Sequence, residues 1–151
     1  MSWASLEHAA PKLATFGAKR FENGVAYIAT VRKQGAPRVH PVTPIIGQGY
    51  LFVFMEPTSP KGHDLRRDGR YSLHSSVGDP HGTSGEFIVT GRANMIDDWA
   101  MRSVASQLAS YAPADRYILF ELSVQTALST IYEDGRPVRQ HWHTTPSHEA
   151  G

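Results

Sequence analysis

The chain has 151 residues, of which 40% are apolar and 19% are charged, and its formal net charge is +1. These values are typical of one globular domain with a real core, and they predict neither nucleic acid nor a membrane surface as a partner. Cysteine is absent, which excludes disulfides, thiolate metal sites and a cysteine nucleophile.

Short runs rich in Val, Ile, Tyr and Phe, separated by glycine and proline turns, predict a fold built mainly of strands. In chain order, these runs are residues 25–31, 37–46, 50–55, 71–75, 85–96, 117–124 and 127–133, with 138–143 as a candidate final strand. The second run contains Pro41 and Pro44. Because a proline cannot donate to a strand ladder, we expect this strand at an edge, at a bulge or on the open side of a barrel.

Helices are predicted between these runs. Residues 2–21 repeat apolar side chains at helical spacing, and Pro11 begins a second piece of that helix. Asp97 and Asp98 cap a helix over 99–110. Six or seven strands with two or three helices predict a small β-barrel with helical caps. We expect one domain over 1–143 and a disordered tail over 144–151.

The segment between the third and fourth strands is chemically distinctive. Ser59 is a good N-cap and Pro60 suits the first position of a short helix over 61–67. Lys61 then stands in the first turn, where the helix dipole disfavours a cation by a few tenths of a kcal/mol. An anion removes that cost, and the hydroxyls of Thr58 and Ser59 add donors, so the segment is a candidate phosphate site. The alternative is a capped helix with an exposed lysine.

Three motifs together resemble one family. Ser59-Pro60-Lys61 and the run Asp68-Gly69-Arg70-Tyr71-Ser72-Leu73 match, in order and spacing, the pyridoxamine 5′-phosphate oxidase-like proteins, which are flavin-binding split β-barrels. The run Gly35-Ala36-Pro37-Arg38-Val39-His40-Pro41-Val42 resembles that family's second strand. The resemblance covers roughly residues 18–134. It implies an antiparallel split β-barrel, FMN at the interface of a homodimer, and two-electron transfer to a small-molecule substrate.

The resemblance also implies which residues contact the cofactor. The phosphate would be held by Lys61, Ser59 and Thr58. Arg38 would lie along the flavin, and the alternative for Arg38 is a strand arginine exposed to solvent. Pro60 stands where the family has a second basic residue, which leaves oxidase activity on pyridoxamine phosphate in doubt. The residues that would lie along or reach the flavin are Arg38, Val39, His40, Pro41, Val42, Arg139 and Trp142. The alternative for Trp142 is packing on the barrel.

Other interpretations stay open. The same loop could hold the phosphate of the deazaflavin F420, and the protein could instead be a non-catalytic flavin or haem binder, or bind another phosphorylated ligand. His141 and His143 share a strand face, but nothing selects a third ligand, so no metal site is predicted. Strands 25–31 and 50–55 are apolar on both faces, which favours a homodimer. The chain shows no signal peptide pattern, and we expect a cytoplasmic protein.

Overall fold

The computed structural model describes residues 2–22 and 24–144. Within those residues the chain forms four helices and nine strands. The helices are α1 (Trp3–Ala9), α2 (Pro11–Phe21), α3 (Pro60–Arg67) and α4 (Trp99–Leu108). The strands are β1 (Ala26–Val31), β2 (Pro37–Val42), β3 (Ile45–Gly47), β4 (Tyr50–Met55), β5 (Arg70–Ser75), β6 (Glu86–Ile96), β7 (Ile118–Leu122), β8 (Thr126–Glu133) and β9 (Arg136–His143).

The sheet is antiparallel and curls into a barrel. Its strand order is β2-β1-β5-β6-β7-β4-β3, and only Thr43 and Pro44 separate the two outermost strands, β2 and β3, along the chain. The barrel is therefore closed by one bent strand, whose first half pairs with β1 and whose second half pairs with β4. Of the positions predicted for Pro41 and Pro44, an edge of the sheet is the one observed, since β2 and β3 each pair with a single strand.

The long strand β6 divides its pairing between two parts of the sheet. It pairs with β5 and β8 through its first half and with β7 through its second half. The link between β7 and β8 crosses β6 at Gly91, where a Cβ atom would lie 1.9 Å from the carbonyl oxygen of Ser123. Only glycine fits this crossing. Beyond it, β8 and β9 form a hairpin arm whose outer strand pairs with β8 alone.

Two clusters of buried side chains make up the core. The larger fills the barrel and is covered at one end by α1 and α2, where Trp3 and Phe21 pack edge-on or tilted against Phe87 and each other. The smaller lies between α4 and the outer faces of β3, β4 and β7, with Phe52, Phe54 and Ala105 at its centre. Strand β4 is therefore buried on both faces within the chain itself.

These observations decide several sequence predictions. The barrel fold, the two N-terminal helices and the Asp98 cap are confirmed. A tight turn at Gln48 and Gly49, whose φ angles are both positive at 50° and 82°, joins β3 to β4. Nine strands exceed the predicted six or seven, because residues 43–44 divide one predicted strand and the candidate final strand forms. The four helices include both pieces that were predicted within residues 2–21. The apolar faces of β4 are covered by α4 and the barrel core, so β4 gives no support for a dimer.

Two further predictions concern the chain as a whole. Residues 145–151 of the predicted tail lie outside the described residues. Among the residues that the structure describes, no helix is both long and apolar enough to pass through a membrane.

Candidate functional site

The short helix α3 begins as its sequence predicts. Ser59 is the N-cap: its Oγ accepts a hydrogen bond from the backbone N–H of Gly62 at 3.2 Å and donates to the carbonyl oxygen of Glu56 at 2.7 Å. Pro60 occupies the first helical position. Both hydrogen-bonding functions of the Ser59 hydroxyl are thus engaged inside the cap, so this group has no free proton for a phosphate oxygen.

Within the described part of the chain, Lys61 and Thr58 keep their donors free of partners. Lys61 is half-buried, and no carboxylate of the described residues lies within 4.0 Å of its ammonium group. Its backbone N–H likewise has no partner among residues 2–22 and 24–144. The hydroxyl of Thr58 is exposed. The start of α3 therefore presents an ammonium group, one N–H and one hydroxyl, a set of donors that suits an anion.

A buried carboxylate lies one turn further along α3. The side chain of Asp64 is only 4% exposed and accepts three hydrogen bonds. These come from Thr30 Oγ1 at 2.8 Å, Arg38 Nε at 2.9 Å and Arg67 Nη2 at 3.1 Å. Asp64 thereby ties α3 to β1 and β2, and it fixes the guanidinium of Arg38 through Nε. The two terminal nitrogens of Arg38 have no partner among the described residues.

The charge of Asp64 is stabilised by these donors. Burial by itself would raise the pKa of the carboxyl group. The hydrogen bonds from Thr30, Arg38 and Arg67 outweigh that effect and hold the pKa of Asp64 below its usual value. The group is therefore a carboxylate throughout the neutral range, and it compensates the charge of the arginine beside it.

His40 completes this cluster. Its Nε2 atom is buried and has no hydrogen-bond partner in the described part of the chain. Burial of the ring is the largest cause that lowers the pKa of His40. The charges of Lys61 and Arg38 lower it further, and the carboxylate of Asp64 only partly opposes them. His40 is consequently neutral at pH 7, with a buried nitrogen available to a ligand.

Strand β2 divides the predicted flavin-contacting residues between two faces. Arg38, His40 and Val42 point inward, and Val42 is part of the barrel core. Val39 and Pro41 point outward, and Val39 is 62% exposed. This division follows from strand geometry, because successive side chains of a strand point to opposite faces of the sheet. Within one chain, then, only Arg38 and His40 of this strand reach the Lys61 cluster.

The predicted C-terminal residues lie elsewhere. Strands β1, β5, β6 and β8 separate β9 from β2 in the sheet. Trp142 is half-buried and packs against the barrel core, beside α1, where it lines a cavity of about 470 Å³ with Ala4 and His8. Arg139 is exposed on β9. Neither side chain joins the Lys61 cluster within one chain, and the alternative interpretation of Trp142 as a packing residue agrees with this position.

Sequence reasoning missed Asp64 and Thr30. Alternation along β1 places Thr30 on the same inner face as Ala26 and Ile28, so a hydroxyl inside the barrel could have been predicted, and a buried hydroxyl needs a partner. Asp64 was assigned only to the short helix. Within residues 2–22 and 24–144, no group of three His, Asp or Glu side chains could hold a metal ion.

Comparisons with known proteins show the fold. No family model matches the chain, and no curated protein matches it. Solved structures do. A haem-binding protein from Mycobacterium smegmatis is 20% identical, with a TM-score of 0.63 over 82% of this chain and 56% of that one. The chain thus spans little more than half the length of that protein.

Two other similar structures match over most of their own length. The haem storage protein HutZ from Vibrio cholerae is 18% identical, with a TM-score of 0.56 over 77% of this chain and 89% of that one. A candidate pyridoxamine 5′-phosphate oxidase from Listeria innocua is 13% identical, with a TM-score of 0.58 over 73% of this chain and 91% of that one. At such identities the likeness shows the architecture alone.

Proposed function

Because the chain has the split β-barrel fold of the pyridoxamine 5′-phosphate oxidase-like proteins, we propose that it binds FMN through the start of α3 and acts as a flavin-dependent oxidoreductase. The observation that carries this proposal is that the ammonium of Lys61 and the guanidinium of Arg38, which Asp64 fixes, both lie near enough to His40 to lower its pKa. Two cations of this kind, next to an N–H and a hydroxyl, suit a phosphate monoester.

The residues of this chain would divide the task of binding. Lys61 and Thr58 donate to phosphate oxygens, and Arg38 adds its terminal nitrogens, which Asp64 orients through Nε. His40 offers its buried Nε2 to a polar atom of the cofactor. A bound flavin supplies the two-electron chemistry, so the protein needs no nucleophile of its own. We expect weaker binding of the phosphate than a full set of cations would give, because Pro60 has no charge and the hydroxyl of Ser59 is engaged in the helix cap.

A homodimer is the second part of the proposal. The outer face of the β1–β2 ladder is apolar, with the cross-strand pairs Tyr27–Pro41 and Ala29–Val39. Tyr27 is 45% exposed, and apolar side chains that meet on an open sheet face are suited to contact with a second copy. In such a dimer Val39, Pro41, Arg139 and Trp142 of one chain could approach the cofactor of the other. Light scattering at micromolar concentration should give twice the chain mass, and a monomeric mass would contradict this part.

The cofactor proposal is tested by titrating the protein with FMN and following flavin fluorescence. The variant Lys61→Ala should lose about 1.5–3 kcal/mol of binding free energy, the size of a hydrogen bond to a charged group. The variant Lys12→Ala removes an equally charged lysine from the exposed side of α2 and should bind as the wild type does. Unchanged FMN affinity in Lys61→Ala would remove the phosphate site.

A second measurement locates the cofactor without relying on activity. The pKa of His40 is held low in the free protein by burial and by neighbouring cations. A phosphate dianion beside Lys61 and Arg38 would favour the protonated imidazole, so NMR titration should show the pKa of His40 rising when FMN is added. A pKa that stays the same with bound FMN would place the phosphate elsewhere.

Adding haem or F420 to the same protein samples distinguishes these two cofactors from FMN. A neutral imidazole with a free, buried Nε2 is suited to a haem iron, and proteins with this fold include haem-binding and haem storage proteins. A Soret band that is lost in His40→Ala would favour haem binding without catalysis. Binding of F420 in place of FMN would assign the same Lys61 site to a deazaflavin reductase.

A further inference from the structure

A second cationic site lies at the other end of α3. The cleft has a volume of about 530 Å³, and three chain segments form it: the β1–β2 turn, the end of α3 with the start of β5, and the middle of β6. Its charged side chains are Arg32, Lys33, Arg67, Asp68, Arg70 and Arg92. Five cations and one carboxylate give a formal charge of +4, although the whole chain carries only +1.

Two of these arginines are held in place before any ligand arrives. Nη2 of Arg67 donates to the carbonyl oxygen of Val31 at 2.6 Å and to Oδ1 of Asp64 at 3.1 Å. Arg70 donates to both carboxylate oxygens of Asp68, at 2.7 Å and 3.1 Å. Guanidinium groups fixed in this way lose little side-chain entropy when they bind an anion.

Two arginines of the cleft also come from paired positions in the sheet. Arg70 and Arg92 are directly opposite each other in the β5–β6 ladder. Like charges in this position destabilise a sheet. Among the described residues, Asp68 is the single carboxylate that lines the cleft, and Arg70 donates to both of its oxygens. The positive charges of Arg32, Lys33 and Arg92 are left without a carboxylate within 4.0 Å among the described residues.

We propose that this cleft binds the diphosphate group of a small molecule. Four of its five cations are arginines, whose planar forks match pairs of phosphate oxygens. Arg67 and Arg70 are already paired with Asp64 and Asp68, which leaves three positive charges of the cleft to be balanced. One phosphate monoester carries a charge of about −1.5 to −2 at pH 7, so two adjacent phosphates match these charges better than one. No aromatic side chain of the described residues lines the cleft to stack on a base, which distinguishes it from a single-stranded nucleic acid site.

The experiment is isothermal titration calorimetry of the full chain with sodium pyrophosphate at low salt. The double variant Arg32→Gln/Arg92→Gln should bind about a hundredfold more weakly, the loss of two charge-assisted contacts at about tenfold each, and orthophosphate should bind the wild type more weakly than pyrophosphate. The control Lys12→Gln/Lys19→Gln removes two charges from exposed positions on α2 and should bind as the wild type does. Urea unfolding of both double variants checks that they are folded.

Several outcomes would overturn the proposal. These are no pyrophosphate binding by the wild type, equal weakening in the α2 control, and equal binding of orthophosphate. The Lys61→Ala variant separates the two anion sites, because it should keep pyrophosphate binding while FMN binding is weakened. If Lys61→Ala abolishes pyrophosphate binding, the ion occupies the start of α3 and the cleft is an ordinary solvated surface. Failure of FMN binding alone leaves the cleft proposal standing.

Discussion

Two aspartates at α3, four residues apart, meet their arginines in different ways. Asp64 lies inside the helix with its side chain 4% exposed, and its three donors come from β1, β2 and α3. Asp68 follows the helix with its side chain 25% exposed, and its partner Arg70 is two residues away. Both pairs have good geometry. Only the buried carboxylate connects distant parts of the chain. We therefore expect burial and sequence separation, rather than the distance between the charged atoms, to decide how much each ion pair contributes to the stability of the fold.

The variant Asp64→Asn tests the contribution of the buried carboxylate to stability. The amide keeps the shape of the side chain but leaves Arg38 and Arg67 without their buried countercharge. We expect a loss of about 3 kcal/mol in the free energy of unfolding, the lower end of the range for breaking a buried pair, because water still reaches both arginines. Urea unfolding measures it. A loss below about 1 kcal/mol would mean that Asp64 contributes no more than a surface pair.

Acid should remove the same contribution from the wild type. The pKa of Asp64 is below its usual 3.8 in the folded protein. As pH falls below 3.8, the unfolded chain takes up a proton that the folded carboxylate does not, so the stability due to Asp64 decreases until the folded pKa is passed. The difference between wild type and Asp64→Asn should therefore be constant above about pH 5 and shrink at about pH 3. A difference that is independent of pH would contradict the assigned shift.

The contrast between the two aspartates also marks what the sequence could predict. Local patterns sufficed for most helices and strands and for the Ser59 cap, because each depends on neighbouring residues. Alternation requires Arg38 and His40 to share a face but does not say which face of β2 turns inward, and the resemblance groups Val39 and Pro41 with them. The Arg38–Asp64 pair joins residues 26 positions apart. It depends on how the barrel closes, which no local pattern contains.

The cleft at the end of α3 was missed for a related reason. Its cations come from the β1–β2 turn, α3, β5 and β6, and in the sequence each looks like an ordinary solvated residue beside a turn or on an exposed strand face. Only the pairing of β5 with β6 sets Arg70 against Arg92. The Lys61 segment could be predicted as a candidate phosphate site because its residues are adjacent in the chain. A site of contiguous residues can be predicted from sequence, whereas a site assembled by sheet register requires the structure.

The smallest expected effect is that of Asp68→Asn, the counterpart of Asp64→Asn at the exposed end of the helix. The hydrogen bonds from Arg70 hold the pKa of Asp68 to about 2, yet both partners are in contact with water, and solvent screens most of their attraction. We expect a urea midpoint indistinguishable from that of the wild type at pH 7. A midpoint lowered as much as in Asp64→Asn would mean that Arg70 and Arg92 can lie side by side only when Asp68 is charged. The exposed pair would then hold the sheet together as the buried pair holds α3 to the barrel.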